Sequence, residues 1–249
     1  MTGTPGHFQY KEIDPEGFET LKVIADAVQF NNWTYDTIKP HCHGKILEIG
    51  SGIGNISERF INNGADITVS DIRSNYIGFL RSKFPLLEQD NRIVMMDLVD
   101  PEFDHSFRHL FETFDTVFAL NVIEHIENDR LAVENCKKLL KKGGKLVLLM
   151  PAYSWLYNSF DKELYHYRRY NSTSMQKLML SGGLETEKTF YFNAGGIPGW
   201  FISGKLLHNK TIPQGQMNLF DKLVPFFRLL DELLMKKIGL SVISVARKL

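Results

Sequence analysis

The sequence predicts a doubly wound α/β fold, in which helices cover both faces of a mostly parallel sheet. Two observations carry this prediction: short, nearly continuous apolar runs alternate with segments of helical period, and a glycine-rich turn follows the first run. Such runs are typical of strands that are buried on both faces. The predicted strands are residues 45–49, 66–70, 92–96, 115–120, 145–150, 184–192 and 241–247.

The segments between these runs carry apolar residues at helical spacing. Gly64 and Pro85 end the first two crossover helices, and Gly143-Gly144 are expected to end the long helix before the fifth strand. Pro225 is expected in the first turn of the last helix, where a missing N–H costs nothing. The predicted helical segments are residues 15–40, 55–63, 75–84, 128–142, 172–182 and 219–238.

The composition is that of an ordinary globular protein, with 43% hydrophobic and 23% charged residues among 249. Lys+Arg and Asp+Glu both number 29, and this zero balance argues against nucleic acid as a partner. Two cysteines are too few for a disulfide framework, and the first eight residues lack the apolar core of a signal peptide. We therefore expect a cytoplasmic protein.

The length allows one large domain or two small ones, and no linker divides the chain. We expect a single domain with three parts. Residues 1–43 form an N-terminal helical cap, residues 44–192 a cofactor-binding core, and residues 193–249 a helical insertion followed by the last strand.

The glycine-rich turn lies where the first strand ends, at the sheet edge where open α/β sheets bind ligands. Gly50, Gly52 and Gly54 leave the backbone accessible to a ligand, and Glu48 precedes them. Asp71 ends the second strand, where a carboxylate can accept hydrogen bonds from both ribose hydroxyls. The alternative is a tight strand–helix turn without a ligand, but the glycines and Asp71 together favour a nucleoside site.

The spacing of the glycines bears on which nucleotide binds. The turn reads Gly-x-Gly-x-Gly and not the Gly-x-Gly-x-x-Gly of dinucleotide sites. Glu48 would repel a pyrophosphate and attract a cationic amino group. S-adenosylmethionine carries an ammonium and a sulfonium, so it suits this turn better than NAD does. A phosphate-binding P-loop is excluded because no Gly-Lys-Ser/Thr follows.

Four motifs in order resemble those of the class I S-adenosylmethionine-dependent methyltransferases: ILEIGSGIGN, VSDI, MMDL and FALNVIEHI. The resemblance implies a Rossmann-like seven-stranded sheet with an antiparallel last strand. It also implies S-adenosylmethionine as methyl donor, with S-adenosylhomocysteine as its product. Asp71 would then contact the ribose, Asp97 the adenine amino group and the segment at Asn121 the methionine part. The implied cofactor-binding residues are Glu48, Gly50, Ser51, Gly52, Gly54, Asp71, Ile72, Asp97, Leu98 and Asn121.

Glu124-His125 follows the fourth strand and is the first candidate on the acceptor side. The segment is similar to ubiquinone-type O-methyltransferases and small-RNA 3′-end methyltransferases, some of which hold a divalent metal with Glu-x-x-Glu-His. Here Asn121 occupies the first acidic position, and no third ligand is evident, so we expect no metal. His125 is expected to act as a base or to orient the acceptor, and a capping or packing histidine is the alternative.

The second candidate is the block of residues 153–171 after the fifth strand, which is rich in Tyr and contains adjacent arginines. It resembles a pattern in a broad bacterial methyltransferase group, Asp followed by Gly-His-x-Arg-Arg-Tyr, with Tyr165 in place of the glycine. Asp161, His166 and Arg169 are therefore expected to be catalytic or acceptor-binding, and an arginine suits a carboxylate or phosphate. The alternative is a satellite aromatic core.

The tail combines apolar and basic residues. Residues 205–249 contain eight Lys/Arg and three Asp/Glu, a balance of 8 − 3 = +5. An amphipathic cover on the sheet or a homodimer face would explain this composition. The alternative is a peripheral membrane contact through residues 193–238, near a lipid-linked substrate.

The sequence thus predicts an S-adenosylmethionine-dependent methyltransferase that acts on a small-molecule or lipid-like acceptor, as a monomer or homodimer. The alternatives are a non-catalytic S-adenosylmethionine-binding module and, with less support, an NAD-dependent oxidoreductase.

Overall fold

A seven-stranded sheet organises the chain in the computed structural model, which describes residues 15–209, 211 and 213–249. The strands are β1 (Ile46–Ile49), β2 (Ile67–Asp71), β3 (Ile93–Met95), β4 (Phe114–Leu120), β5 (Leu140–Pro151), β6 (Glu185–Phe192) and β7 (Ser241–Arg247). Their order across the sheet is β3-β2-β1-β4-β5-β7-β6, and β7 is antiparallel to both of its neighbours. The predicted fold class and its antiparallel last strand are confirmed.

The helices lie along both faces of the sheet, as predicted. They are α1 (Pro15–Ala25), α2 (Val28–Ile38), α3 (Ser57–Asn62), α4 (Ser74–Lys83), α5 (Pro85–Gln89), α6 (Phe103–Ser106), α7 (Asp129–Leu139), α8 (Ser159–Glu163), α9 (Ser172–Ser181), α10 (Gly196–Trp200) and α11 (Gln214–Leu233). A short π-helix, Phe201–Leu206, continues α10. Residues 1–14 of the expected N-terminal cap lie outside the described residues. Among the described helices, none has the length and apolar character needed to cross a membrane.

Two apolar cores, one on each face, explain why the strands are so uniformly hydrophobic. One core includes Leu47, Val117 and Leu148, and the other includes Ile46, Phe118 and Val147. Successive residues of a central strand therefore point into opposite cores, and every position of β1 and β2 is buried. The apolar runs of the sequence have this physical origin.

The sheet also determines where a ligand can bind. β1 pairs in parallel with both β2 and β4, so the chain changes direction across the sheet beside β1. The carboxyl ends of β1, β2, β4 and β5 meet at one edge, which is the usual ligand edge of such sheets. The segments that follow these strands build the site.

The predicted end of the long helix at Gly143-Gly144 is wrong. α7 ends at Leu139, and β5 begins at Leu140, which pairs with Phe114. Leu139 and Leu140 are both fully buried, so core packing draws the chain into the sheet five residues before the predicted start of the strand at residue 145. The glycines lie in an irregularity of β5, where the register shifts before Lys145 pairs with Thr116.

The predicted position of Pro225 is also wrong. α11 begins at Gln214, and Pro225 lies inside the helix and not in its first turn. The added N-terminal turns are held by tertiary contacts: Met217 is buried, and the hydroxyl of Ser203 donates a hydrogen bond to Oε1 of Gln216 (2.6 Å). These contacts compensate the backbone hydrogen bond that proline cannot make.

Asp231 anchors α11 to the end of β6. Its carboxylate is almost fully buried and accepts hydrogen bonds from the backbone N–H groups of Asn193 (2.7 Å) and Ala194 (2.8 Å).

We expect Asp231→Ala to lower the free energy of unfolding by about 3 kcal/mol, because two buried donors lose a charged acceptor. Urea unfolding measures the loss. The control is Glu232→Ala, which removes only an exposed ion pair with Lys236 and should change stability by less than about 1 kcal/mol. Equal effects of the two substitutions would contradict this assignment.

Candidate active site

The glycine-rich loop after β1 has the backbone of a ligand cradle. Gly50, Gly52 and Gly54 all have positive φ, at 69°, 54° and 77°. A Cβ on Gly50 would lie 2.4 Å from Cγ2 of Val122, so only glycine fits where this loop meets the segment after β4. The N–H of Gly54 donates to the carbonyl of Ser51 (2.8 Å), which closes the turn at the start of α3.

Glu48 lies beneath this loop. It is 4% exposed and accepts a short hydrogen bond from the hydroxyl of Ser57, the first residue of α3. Burial raises the pKa of Glu48 to about 7, against the lowering effect of hydrogen bonds from Ser57 and Ser51. Glu48 therefore ties β1 to α3 and holds the loop from below.

Asp71 closes the opposite side of the loop. One carboxylate oxygen accepts a hydrogen bond from the N–H of Gly52 (2.9 Å), and the other accepts one from the N–H of Arg73 (3.0 Å). Burial raises the pKa of Asp71, while these two hydrogen bonds lower it. Each oxygen retains a second lone pair that can accept a hydrogen bond from a ribose hydroxyl.

The remaining predicted cofactor residues follow the ends of neighbouring strands. Ile72 follows Asp71 at the end of β2, and Asp97 and Leu98 follow β3. The carboxylate of Asp97 accepts a hydrogen bond from the N–H of Val99 (2.9 Å), which shapes that turn. Asn121 follows β4 with a φ of 53°, and its N–H donates to Leu149 in β5. The strands thus bring all the predicted cofactor residues to one edge.

The N-terminal helix α1 also reaches this loop, which sequence reasoning missed. Cδ1 of Leu21 lies 3.0 Å from where a Cβ of Gly52 would be, and Nδ2 of Asn55 donates to the carbonyl of Leu21 (3.3 Å). The apolar periodicity of a helix predicts that one face is buried but not which segment it packs against, so the sequence could not predict this contact.

The loop after β5 contains the residues predicted for the acceptor side. The loop closes on itself because Tyr170 donates its N–H to Pro151 (2.9 Å) and Tyr153 donates its N–H to Tyr170 (2.8 Å). The N–H of Tyr167 also donates to the carbonyl of Glu124 (2.8 Å), which joins this loop to the segment after β4. Tyr165 has a φ of 59°, in the left-handed region that glycine adopts more readily than tyrosine does.

Asp161, His166 and Arg169 form a buried network within this loop. Oδ1 of Asp161 accepts hydrogen bonds from Nδ1 of His166 and Nε of Arg169, both at 2.8 Å. Arg169 also donates to the carbonyl of Ala152 (2.9 Å). Burial alone would raise the pKa of Asp161, but the hydrogen bond from His166 and the charge of Arg169 lower it. Because Asp161 and Arg169 are buried and engaged with each other, they are better suited to orient His166 than to contact an acceptor.

Glu124 and His125 lie directly beside this network, in a short 3-10 helix (Ile123–His125). The rings of His125 and His166 meet edge to face, with centroids 4.6 Å apart. Glu124 is completely buried, and neither of its carboxylate oxygens has a hydrogen-bond partner among the described residues. Burial raises its pKa to about 7, and the nearby His166 and Arg169 lower it. Glu124, His125 and His166 can together hold a metal ion, because one ligand atom from each lies within 4.8 Å of the other two. His166 is the third member of this cluster, and the sequence did not reveal its proximity to Glu124 and His125.

The chain is similar to known methyltransferases in sequence and in fold. Residues 47–146 match the family model described as a methyltransferase domain. A ubiquinone biosynthesis O-methyltransferase of Erwinia tasmaniensis is 28% identical over 135 residues, which cover 51% of this chain and 54% of the relative. A highly reducing polyketide synthase of Pyrenophora dematioidea is 27% identical over 126 residues, or 47% of this chain and 5% of the relative. The chain thus spans about half the length of the first relative and a small part of the second.

Solved structures share the fold. The crystal structure of geranyl diphosphate C-methyltransferase from Streptomyces coelicolor superposes with a TM-score of 0.62 at 13% identity, over 98% of this chain and 90% of that one. The chain has the fold of the class I S-adenosylmethionine-dependent methyltransferases, and residues 47–146 match a methyltransferase domain. Solved structures that share this fold hold S-adenosylmethionine or S-adenosylhomocysteine, which supports the expected enzyme class and methyl donor.

Because the carboxyl of Glu48 is buried, we expect the free energy of unfolding to depend on pH. Its pKa lies near 7 in the folded protein and near its ordinary value of 4.5 in the unfolded chain. The folded state therefore binds the proton more tightly, and the contribution of Glu48 to stability falls as the pH rises from 4.5 to 7, by up to about 1.4 kcal/mol per pH unit. We expect the stability of Glu48→Gln, relative to wild type, to improve steadily over this range. Urea unfolding at several pH values measures this difference, with the exposed Glu58→Gln as control; parallel curves for wild type and Glu48→Gln would refute the prediction.

Proposed function

We propose that this protein transfers a methyl group from S-adenosylmethionine to a small-molecule or lipid-like acceptor. The observation that carries the proposal is that one sheet edge holds both a nucleoside cradle and a buried polar cluster. The cradle ends at Asp71, and the cluster surrounds His166. The loop after β1 contacts the segment after β4 directly, so the two parts lie side by side at one edge of the sheet.

The donor side fits a cationic nucleoside. Its three glycines, which all have positive φ, have no side chains that would cover the backbone of the loop. Asp71 offers carboxylate lone pairs to the ribose, and Asp97 follows β3 where an adenine amino group would be recognised. We assign the methionine part to the segment at Asn121. The loop offers no lysine for a pyrophosphate, which disfavours an NAD-dependent oxidoreductase.

Bound S-adenosylmethionine supplies a methyl group that is already activated by the sulfonium charge. The chain therefore has to position the acceptor and exclude water, and to accept a proton only where the nucleophile carries one. His125 and His166 are the groups we assign to face the acceptor. We assign Asp161 and Arg169 to positioning His166, because Asp161 accepts hydrogen bonds from both His166 and Arg169 within the buried network.

The donor prediction is tested by binding. We expect calorimetry to detect S-adenosylmethionine and S-adenosylhomocysteine binding at micromolar concentration, and no binding of NAD. Asp71→Ala should weaken donor affinity about ten- to a hundredfold, because a carboxylate that accepts two ribose hydroxyls contributes charge-assisted hydrogen bonds. The control is Asp66→Ala, whose carboxylate is exposed just before β2 and pairs with Arg92. Binding of NAD but not of the donor would refute the proposal.

A lipid-like acceptor is supported by the surface of α11. One face of this helix packs on the sheet through Met217 and Val224. The opposite face carries an apolar stripe toward solvent, made of Leu219, Leu223, Phe226, Leu229 and Leu233, with exposures from 42% to 71%. A helix that is apolar on both faces needs a second apolar environment. Relatives named as ubiquinone biosynthesis O-methyltransferases are compatible with a lipid-like acceptor.

The charge of the tail argues for an anionic lipid surface as that environment. The balance of residues 205–249 is +5. Two of its three acidic groups are engaged by backbone N–H groups, and the third, Glu232, forms an exposed ion pair with Lys236. Asp231 accepts backbone hydrogen bonds at the end of β6, and Asp221 accepts one from the N–H of Phe30 (2.8 Å). Basic residues beside an apolar stripe favour binding to an anionic bilayer.

Vesicle flotation tests this assignment. We expect the protein to float with phosphatidylglycerol-containing vesicles at low salt and to bind phosphatidylcholine vesicles weakly. The double variant Phe226→Glu/Leu229→Glu should lose at least about tenfold in vesicle affinity, since two apolar side chains no longer insert. Leu86→Glu, at a similarly exposed leucine of α5, is the matched control. If the double variant instead converts a dimer to a monomer and wild type ignores vesicles, the stripe is a dimer face and the membrane assignment is wrong.

A further inference from the structure

We propose that helix α1 is a movable cover of the nucleoside cradle, and that Phe18 and Leu21 of this helix close over the bound nucleoside. The inference rests on the proposed function for the identity of that ligand, S-adenosylmethionine or its product S-adenosylhomocysteine. Helix α1 lies in the N-terminal segment, outside the part of the chain that the sequence predicts to bind the cofactor.

Helix α1 contacts two walls of the cradle. On the first wall, the loop after β1, Cδ1 of Leu21 lies 3.0 Å from where a Cβ of Gly52 would be, and Nδ2 of Asn55 donates to the carbonyl of Leu21 (3.3 Å). On the second wall, the ring of Phe18 stacks on that of Tyr76 in α4, the helix after β2, with centroids 6.2 Å apart. The nucleoside is expected between the ends of β1 and β2, so α1 spans the space over it.

The packing of α1 is that of an element that can leave its place. The side chains of Phe18, Leu21 and Ile24 are each only partly buried, whereas the next helix, α2, buries Trp33 and Ile38 in the core. Elements with few buried apolar contacts open at a low cost in free energy. A bound nucleoside would supply further surface against which Phe18 and Leu21 become buried, so the donor stabilises the closed position.

The turn between α1 and α2 provides a hinge. Nδ2 of the buried Asn31 donates to the carbonyls of Ile24 (2.6 Å) and Ala27 (2.9 Å), which fixes the C-terminal end of α1 to α2. Ala27 has a ψ of 75°, which interrupts the helical backbone between the two helices. Movement of α1 about this fixed end would lift the helix from both walls of the cradle.

A movable cover and a fixed wall differ in their effect on binding rates. A cover that has to open admits the donor at a rate proportional to the open fraction, and the donor leaves through the same opening. Loosening the cover therefore raises the association rate and the dissociation rate together, and Kd changes less than the dissociation rate does. Removal of a contact from a fixed wall raises the dissociation rate and Kd alike and leaves association unchanged.

Stopped-flow binding of S-adenosylhomocysteine to the full chain measures both rates. We expect Leu21→Ala and Phe18→Ala each to raise the dissociation rate about five- to thirtyfold and the association rate at least about threefold, because each removes a partly buried apolar side chain from the closed cover. Leu21→Met keeps an apolar side chain of similar size and should behave as wild type does. Asp71→Ala should raise Kd without raising the association rate, since it removes a direct contact with the donor.

Hydrogen exchange followed by mass spectrometry tests the movement itself. Saturating S-adenosylhomocysteine should slow amide exchange in residues 17–25 at least about tenfold, and more than in α9, the helix after the β5 loop. This measurement uses the wild-type chain, so it does not depend on the folding of any variant.

Two substitutions serve as controls for the rates. Glu19→Ala removes an exposed ion pair with Lys22 on the same helix, and Leu86→Ala truncates an exposed leucine of α5. Both should keep wild-type rates. The proposal is overturned if Leu21→Ala and Phe18→Ala match these controls, if they raise the dissociation rate alone, or if the ligand leaves exchange in α1 unchanged. If wild type does not bind S-adenosylhomocysteine, the proposed function fails as well, whereas binding with any of the other outcomes overturns the movable cover alone.

Discussion

Parallel pairing of β4 with both β1 and β5 is the constraint on which the rest of this structure depends. It ends the three strands at one edge, so that the three segments that follow them come together. Burial on both faces fixes the register of these strands, because a slip by one residue would exchange their two apolar cores. The sheet places the segments, and contacts between them, such as the hydrogen bond from the N–H of Tyr167 to the carbonyl of Glu124, join them to one another.

The buried carboxyl groups on the two sides of that edge differ in their hydrogen-bond partners. On the donor side, the carboxylates of Glu48 and Asp71 accept hydrogen bonds from hydroxyl and backbone groups of the loop they support. On the acceptor side, Asp161 is neutralised by Arg169, but Glu124 is left without a partner in the same buried region. Among the described residues, the proposed acceptor side thus holds a buried carboxyl without a hydrogen-bond partner directly beside the paired Asp161 and Arg169.

Much of the fold followed from the sequence because buried parallel strands leave continuous apolar runs and glycines with positive φ leave a fixed spacing. Errors arose where tertiary packing overrode a local rule. Gly143 and Gly144 are typical helix terminators, yet the burial of Leu140 begins the strand before them. Pro225 is tolerated within α11 because the helix is held at both ends. His166 could be named as a candidate, but its proximity to Glu124 depends on a loop closure that spacing does not reveal.

The contact between Gly50 and Val122 couples the glycine-rich loop after β1 to the segment after β4. No side chain can be added at residue 50 without displacing Val122, which immediately precedes the segment of Glu124 and His125. A change in the loop after β1 would therefore shift the segment of Glu124 and His125, and the loop after β5 would follow, because the N–H of Tyr167 donates to the carbonyl of Glu124. A substitution at residue 50 or 122 would consequently disturb three segments of this edge together.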